Sequence, residues 1–327
     1  MVAAMATIAS AVHRNIEANG IRLHVAEMGE GPAVLMCHGW PETWYSWRHQ
    51  LPSLAAAGFR AIAPDMRGYG RSDQPEPIDA YTQLHIVGDM VALLDALAIP
   101  AAVIVGHDWG APVAWNAALM RPDRFPAVVG MSVPYQPRGA VSLVDVFKRG
   151  GMHHFYMMYF QEPGVAEREF ERDVESSLRK VLFSISGSRP AGVDWAAFVP
   201  PSGGLLDNAF DTALPLPWLT ADDLAEYAAD FRRSGFRGGL NWYRNLQRNW
   251  ELLAPFANAV IRQPSMFIAG ERDGVLRMPG LRSAIDHLEQ VLPGLRRTAI
   301  LGGAGHWIQQ EAPDQVNALL LEFLRAL

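Results

Sequence analysis

Residues 101–120 read AAVIVGHDWGAPVAWNAALM. The first five, Ala101–Val105, are a continuous apolar run, the pattern of a strand buried on both faces. From Pro112 to Met120 the apolar residues suit a helix. Between them lies Gly106-His107-Asp108-Trp109-Gly110, where the chain must pass from strand to helix through a sharp elbow. Small residues two before and two after the central position suit such a turn, because Cβ atoms there would crowd it. The turn lifts the central side chain clear of the sheet, and the helix N-terminus that follows favours negative charge there. In this pattern the central residue is commonly a serine nucleophile; here it is Asp108.

The alternation continues on either side. Upstream, Ile21–Glu27 alternates apolar and polar residues as a half-exposed strand does, and Ala33–Cys37 and Phe59–Pro64 are short buried-strand runs. Leu84, Val87, Val91, Leu94 and Leu97 then fall at helical spacing. Downstream, Ala127–Val133 reads as a strand. The pattern returns near the end with strand Ser265–Ala269, helix Leu281–Val291, strand Thr298–Leu301 and an amphipathic helix Pro313–Leu327. Strands alternating with helices predict an α/β fold, a mostly parallel twisted sheet flanked by helices. From about Arg138 to Ala254 the pattern changes. Phe155–Phe160, Val165–Phe183, Ala221–Phe231 and Trp242–Leu253 suit helix, and the Gly- and Pro-rich stretch Ser186–Pro217 reads as a long loop. The prediction is a core of residues 1–137 and 255–327 with an all-helical lid, residues 138–254, inserted into it.

Of the 327 residues, 50% are apolar and 19% charged, ample for a buried core. The net charge of -6 argues against nucleic acid or an acidic membrane surface as the main partner, since both attract basic faces. Cys37 is the single cysteine, so an internal disulfide and a cysteine-based metal site are both ruled out, and a reducing, cytoplasmic setting is expected. No apolar run approaches the ~20 residues of a membrane span. Met1–Val12 lacks a charged start and reads as a loose N-terminal extension. No pattern fixes the oligomeric state; a homodimer is allowed.

A nucleophile in an elbow needs an acid and then a histidine further along the chain. Asp273 follows the strand Ser265–Ala269, and His306 follows the strand Thr298–Leu301 within GGAGHW (302–307). Both sit at strand C-termini, where open α/β sheets bind ligands. Glu271 and Asp286 are nearby competitors for the acid. The loop after Ala33–Cys37 carries His38-Gly39-Trp40-Pro41. An oxyanion hole would take one backbone amide from this loop and one from the residue after the nucleophile, Trp40 and Trp109. A cis peptide at Pro41 would hold the loop in an unusual shape, and His38 and His107 read as residues that position these loops. His153-His154 lacks the spacing and carboxylates of a metal site. Gly68-Tyr69-Gly70 lacks the Lys-Ser/Thr of a phosphate loop. No cofactor or metal is implied.

Taken together, HGWP (38–41), DMRGYGRSD (65–73), GHDWGAPVAW (106–115), FQEPGVAE (160–167), GFRGGLNWYRN (235–245) and GAGHW (303–307) resemble the soluble epoxide hydrolases of the α/β-hydrolase superfamily. The similarity runs from about Ile16 to the C-terminus and includes the lid. It implies an α/β-hydrolase fold with a helical cap, an ester formed on Asp108, and water activated by His306 with Asp273. It also implies ring opening by two cap tyrosines, Tyr156 and Tyr243. Helical spacing does not separate Tyr156 from Tyr159, three residues on; the match to the family's motif selects Tyr156.

The chemistry is consistent with this set. A carboxylate suits displacement at saturated carbon. An epoxide oxygen would leave as an alkoxide, too basic to depart unaided, and a phenol of pKa ~10 is a fitting donor. The implied partners are a small apolar epoxide and water. Phe155, Trp307 and Trp218 are candidate pocket walls, as is Trp195. Two alternatives stand beside this reading. One is a haloalkane or haloacid dehalogenase on the same nucleophile, whose halide needs only N–H donors. The other is a non-catalytic member that binds a small apolar ligand, which predicts a broken triad. Detoxification, catabolism and lipid signalling are all compatible roles.

Overall fold

The computed structural model describes residues 7–190, 192, 197–278 and 280–327. The described residues build one eight-stranded sheet from β1 (Val12–Ala18), β2 (Ile21–Met28), β3 (Ala33–Cys37), β4 (Arg60–Pro64), β5 (Ala102–His107), β6 (Val128–Met131), β7 (Ser265–Gly270) and β8 (Leu295–Leu301), in the order β1-β2-β4-β3-β5-β6-β7-β8. β1 and β4 pair antiparallel with β2, and every other neighbouring pair is parallel. Successive residues of the central strands point to opposite faces. Leu35, Ile104, Val128 and Phe267 pack into one apolar layer with Ile86, Met90, Leu93 and Trp115. Val34, Val105, Val129 and Ile268 pack into the other with Leu51, Leu54, Leu320 and Phe323. With both faces covered, these strands read as unbroken apolar runs.

The helices on the two faces are α1 (Gln50–Ala56), α2 (Gln83–Ala96) and α3 (Gly110–Met120). Between β6 and β7 come the cap helices α4 (Leu143–Arg149), α5 (Tyr156–Tyr159), α6 (Val165–Phe170), α7 (Val174–Ser184), α8 (Ala221–Ser234), α9 (Arg237–Arg244) and α10 (Leu246–Leu252). The chain ends with α11 (Leu281–Asp286), α12 (Leu288–Val291), α13 (Ile308–Glu311) and α14 (Pro313–Arg325). This is the α/β-hydrolase architecture with a helical insertion.

Several elements differ from the sequence reading. β1 begins at Val12, so the expected N-terminal extension ends earlier; a 3-10 turn at Ile8–Ser10 leads into it. β1 joins β2 through Asn19-Gly20, both at positive φ, the backbone of a tight hairpin turn. β2 is buried along nearly its whole length rather than half-exposed. Its polar residues tolerate this because they are partnered: His24 with Asp65 at 2.8 Å, Glu27 with Arg14 and Arg60, each at 2.9 Å. α2 buries Ile86, Val87, Met90, Leu93 and Leu94, while Leu84 is exposed, so its inner face is rotated from the expected stripe. The expected helix 165–183 breaks at residues 171–173, where the Asp173 side chain caps α7. The expected helix 242–253 breaks at Asn245, and 281–291 at His287.

Candidate active site

Five neighbouring strands of the sheet, β3, β5, β6, β7 and β8, each deliver one element of the site from the C-terminal end. These are the Trp40 loop, Asp108, Ser132, Asp273 and His306. Asp108 sits at φ +49, in the left-handed region that Asp and Asn enter more readily than most residues. The flanking glycines are required by contact. A Cβ on Gly106 would lie 1.9 Å from the Gly110 carbonyl oxygen, and one on Gly110 would lie 2.0 Å from that of Cys37.

The Trp40 amide donates to Asp108 Oδ1 at 2.7 Å, and the Trp109 amide helps to favour the charged carboxylate. Gly39 lets the loop come this close, since a Cβ there would fall 2.3 Å from Oδ1. The Trp40-Pro41 peptide is cis. The other oxygen, Oδ2, lies 3.6 Å from His306 Nε2, beyond good hydrogen-bond range. His306 Nδ1 donates to Asp273 Oδ1 at 3.1 Å and has the Ser132 hydroxyl at 3.0 Å. Ser132, itself at φ +67, also reaches the Asp273 carboxylate.

Burial pushes the Asp108 carboxyl above the ordinary carboxylate value, and the charges of His306 and His107 and the two amides only partly offset it. Burial also disfavours charge on Asp273, but the charge and hydrogen bond of His306, with help from Ser132, hold Asp273 below its ordinary value. For His306 burial favours the neutral ring, yet Asp273 and then Asp108 outweigh it and raise its pKa to about 9. The resting centre is therefore an imidazolium between two carboxylates. The raised value makes a stability prediction. His306 contributes stability that is complete below its ordinary 6.5 and is lost as pH rises through about 9. The melting-temperature gap between the unmodified protein and His306→Gln should thus narrow between these two pH values. A gap that stays constant or widens across this window would contradict the assigned charge state.

Beneath the elbow, His107 Nδ1 donates to Glu42 Oε2 and its Nε2 to the His306 carbonyl, each at 2.7 Å. Glu42 also accepts from the Gly39 amide and the side chains of Gln309 and Gln310. Burial opposes its ionisation, but the charge and hydrogen bond of His107, with help from the Gly39 amide, bring its pKa down to about 2. His38 donates from Nδ1 to the Gly39 carbonyl and accepts the Met66 amide at Nε2, each at 2.9 Å, so a neutral ring fits both partners. Both histidines tie loops together, as the sequence suggested.

The cap closes the site with aromatic rings. Tyr156 and Tyr243 face each other with centroids 5.9 Å apart, and Tyr243 stands edge-on to Trp109 at 5.0 Å. Phe160 and Trp40 complete the shell, at 4.9 and 6.0 Å from Tyr243. Burial, and then the negative charge of Asp108, pushes Tyr156 well above its ordinary pKa; for Tyr243 burial leads, followed by Tyr156 and Asp108. Tyr159 differs: its hydroxyl donates to Glu169 at 2.9 Å. Phe155 packs against Tyr156 at 4.7 Å. Trp307 stacks edge-on against His306 at 4.6 Å, with its indole N–H on the Leu182 carbonyl.

Trp218 is a correction. Its carbonyl accepts from Arg48, its indole donates to Ser188, and it lines a separate cavity of about 580 Å³ with Tyr45, Arg48 and Asp223 at the joint of core and cap. Trp195 lies outside the described residues. Ser132 and Glu42 carry no signal in the sequence alone: a serine after a strand or a glutamate after a proline has many bland uses, and only the fold brings them to His306 and His107.

A family model described as alpha/beta hydrolase fold matches residues 32–313. The chain is 46% identical over 320 residues to epoxide hydrolase A of Mycobacterium tuberculosis, covering 96% of this chain and 97% of that one. Among solved structures it is similar to an epoxide hydrolase from an endophytic Streptomyces, with a TM-score of 0.92 and 50% identity, covering 96% and 95% of the two chains. It is also similar to an epoxide hydrolase from Vigna radiata, with a TM-score of 0.91 and 38% identity, covering 98% and 100%.

Proposed function

The chain belongs to the epoxide hydrolases of the α/β-hydrolase superfamily and converts epoxides to vicinal diols through an aspartyl ester, and we propose that Asp108, His306, Asp273, Tyr156 and Tyr243 carry the reaction. The observation that carries the assignment is the pairing of a carboxylate in the elbow with two cap phenols whose rings stand 5.9 Å apart, one of them 5.0 Å from the ring of Trp109, the neighbour of Asp108. Because their pKa values are pushed up, both phenols stay protonated at working pH and remain hydrogen-bond donors.

The epoxide oxygen sits between the two phenols. Asp108 Oδ2, the oxygen not held by the Trp40 amide, displaces it from carbon. A new C–O ester bond forms, the ring C–O bond breaks, and one phenol gives its proton to the departing oxygen. Ester formation removes the charge of Asp108, one of the groups that hold the His306 pKa up. The pKa of His306 therefore falls; its proton leaves and makes good the one that the phenol gave up, and the neutral ring becomes available as a base. His306 takes a proton from water, which adds to the carbonyl carbon of the ester. The negative oxygen that results, Oδ1, lies at the Trp40 amide, and the Trp109 amide also favours negative charge on this group. Collapse releases the diol, with Oδ2 in the product and the water oxygen in Asp108. The aromatic shell favours small apolar, aryl-bearing epoxides. We place the activity in the cytoplasm, on the support of the lone, buried Cys37.

One turnover with excess enzyme and styrene oxide in heavy-oxygen water tests the route. The expected result is unlabelled diol and label in the peptide that holds Asp108. Label in the diol of the first turnover would mean direct attack by water and would remove Asp108 from its role.

A further inference from the structure

One cap segment does not lie over the site but is built into it. Residues 184–189 run between the loop of His306 and the loop of Asp273. The His306 amide donates to the Ile185 carbonyl at 3.1 Å. The Arg272 guanidinium donates to the carbonyls of Gly187 and Arg189, and Arg189 returns a bond to the Arg272 carbonyl at 2.9 Å. At the centre is Glu311, the last residue of α13. Its carboxylate accepts the amides on either side of the catalytic histidine, Gly305 at 2.9 Å and Trp307 at 3.0 Å, and also the cap amide of Gly187 at 2.7 Å. Gly187 fits here without room to spare: a Cβ would lie 2.4 Å from the Gly303 carbonyl oxygen, 2.7 Å from the Gly305 nitrogen and 2.8 Å from Glu311 Oε2.

We propose that Glu311 is a positioning residue for the hydrolytic half of the reaction, fixing the backbone on both sides of His306 and locking it to the seated cap through Gly187. The inference rests on the reading of Asp108 as nucleophile and His306 as water activator. Three N–H donors converge on one group, and a carboxylate can accept from all of them. An amide in its place would turn its own NH2 toward an N–H donor and leave a buried donor without a partner. The Glu311 carboxylate bonds the amides of Gly187, Gly305 and Trp307, a set apart from the ester-forming parts, Asp108 with the Trp40 and Trp109 amides and the two tyrosines. A fault in the clamp should therefore reach water activation and spare ester formation.

The test is rapid-quench kinetics with styrene oxide on the unmodified protein, Glu311→Gln and Gly187→Ala. It follows the covalent adduct by intact mass, with steady-state kinetics and a thermal melt for each protein. Glu311→Gln should form ester within about two-fold of the unmodified rate and break it down about 10–100-fold more slowly, the scale of a small misplacement. Ester then accumulates, and kcat and KM fall together while kcat/KM holds. Gly187→Ala reaches the same joint from the cap side with the carboxylate intact, and the same signature is required of it. If Glu311→Gln does not fold, Gly187→Ala decides. Ester breakdown at the unmodified rate in both variants overturns the inference, as does a loss of kcat/KM as large as the loss of kcat. Absence of any ester in the unmodified protein overturns the nucleophile assignment first, and this inference only with it.

Discussion

Asp108→Asn is expected to lower epoxide turnover by about 10⁴-fold or more while leaving the protein folded. The substitution is nearly isosteric, and asparagine also tolerates the left-handed backbone at φ +49 that the elbow imposes. The amide oxygen can still accept the Trp40 N–H. What is lost is the anionic oxygen that attacks carbon, and nothing else among the groups that line the site can replace it. His306 could activate water against the epoxide directly. Without the charge of Asp108 the His306 pKa falls from about 9 and the ring is freer to act as a base, but an activated water then has to attack saturated carbon without the carboxylate that the elbow holds in place. Turnover should therefore drop to a residual level with no adduct visible by intact mass. Retention of turnover within about ten-fold of the unmodified protein would show that the ester is not on the main route.

The second large effect is expected from Tyr156→Phe combined with Tyr243→Phe. Removing a single positioned proton donor typically costs 10²–10⁴-fold. Each single variant keeps one phenol on the epoxide oxygen and should lose about 10–100-fold in the rate of ester formation. The double variant has none, and its loss should reach about 10³–10⁴-fold, measured as the single-turnover rate of adduct appearance. The site keeps its aromatic rings, so substrate binding should change little. Tyr159→Phe is the control. Its hydroxyl is spent on Glu169, and its effect should stay within about two-fold. A double variant with full activity would put the acid elsewhere in the cap and reopen the comparison with halide chemistry, in which no acid is needed.

The parts of the fold that the sequence makes legible are those where geometry leaves little choice of residue. The elbow needs small residues at Gly106 and Gly110 because backbone atoms stand about 2 Å from where their Cβ atoms would be. The central strands need apolar residues at every position because helices cover both faces. Legibility fails where polarity is satisfied by distant partners. β1 is an exposed edge strand with little hydrophobic pattern, and the local sign of it is the Asn19-Gly20 turn. β2 looks half-exposed because its His24 and Glu27 are polar, yet both are buried against residues far along the chain. In α2 apolar residues cover so much of the circumference that period alone does not choose the inner face. The triad is legible as residues placed at strand ends. Its helpers Ser132 and Glu42 are not, since their roles exist only once five strands stand side by side. Trp218 shows the converse: a lone aromatic carries no direction, and this one seats the cap instead of walling the pocket.

The site draws one group from each of five neighbouring strands, and this orders events during synthesis. The nucleophile leaves the ribosome about 200 residues before the histidine that completes it. At ~5–20 residues per second that interval is about 10–40 s. Through most of it the growing chain holds Asp108 but neither the base nor the acid that supports the base; the cap tyrosines emerge in between, and Asp273 comes only 33 residues ahead of His306. Turnover thus becomes possible only once His306 has been made. A ribosome stalled between β7 and β8 displays a chain that could at most be alkylated at Asp108 and never turned over.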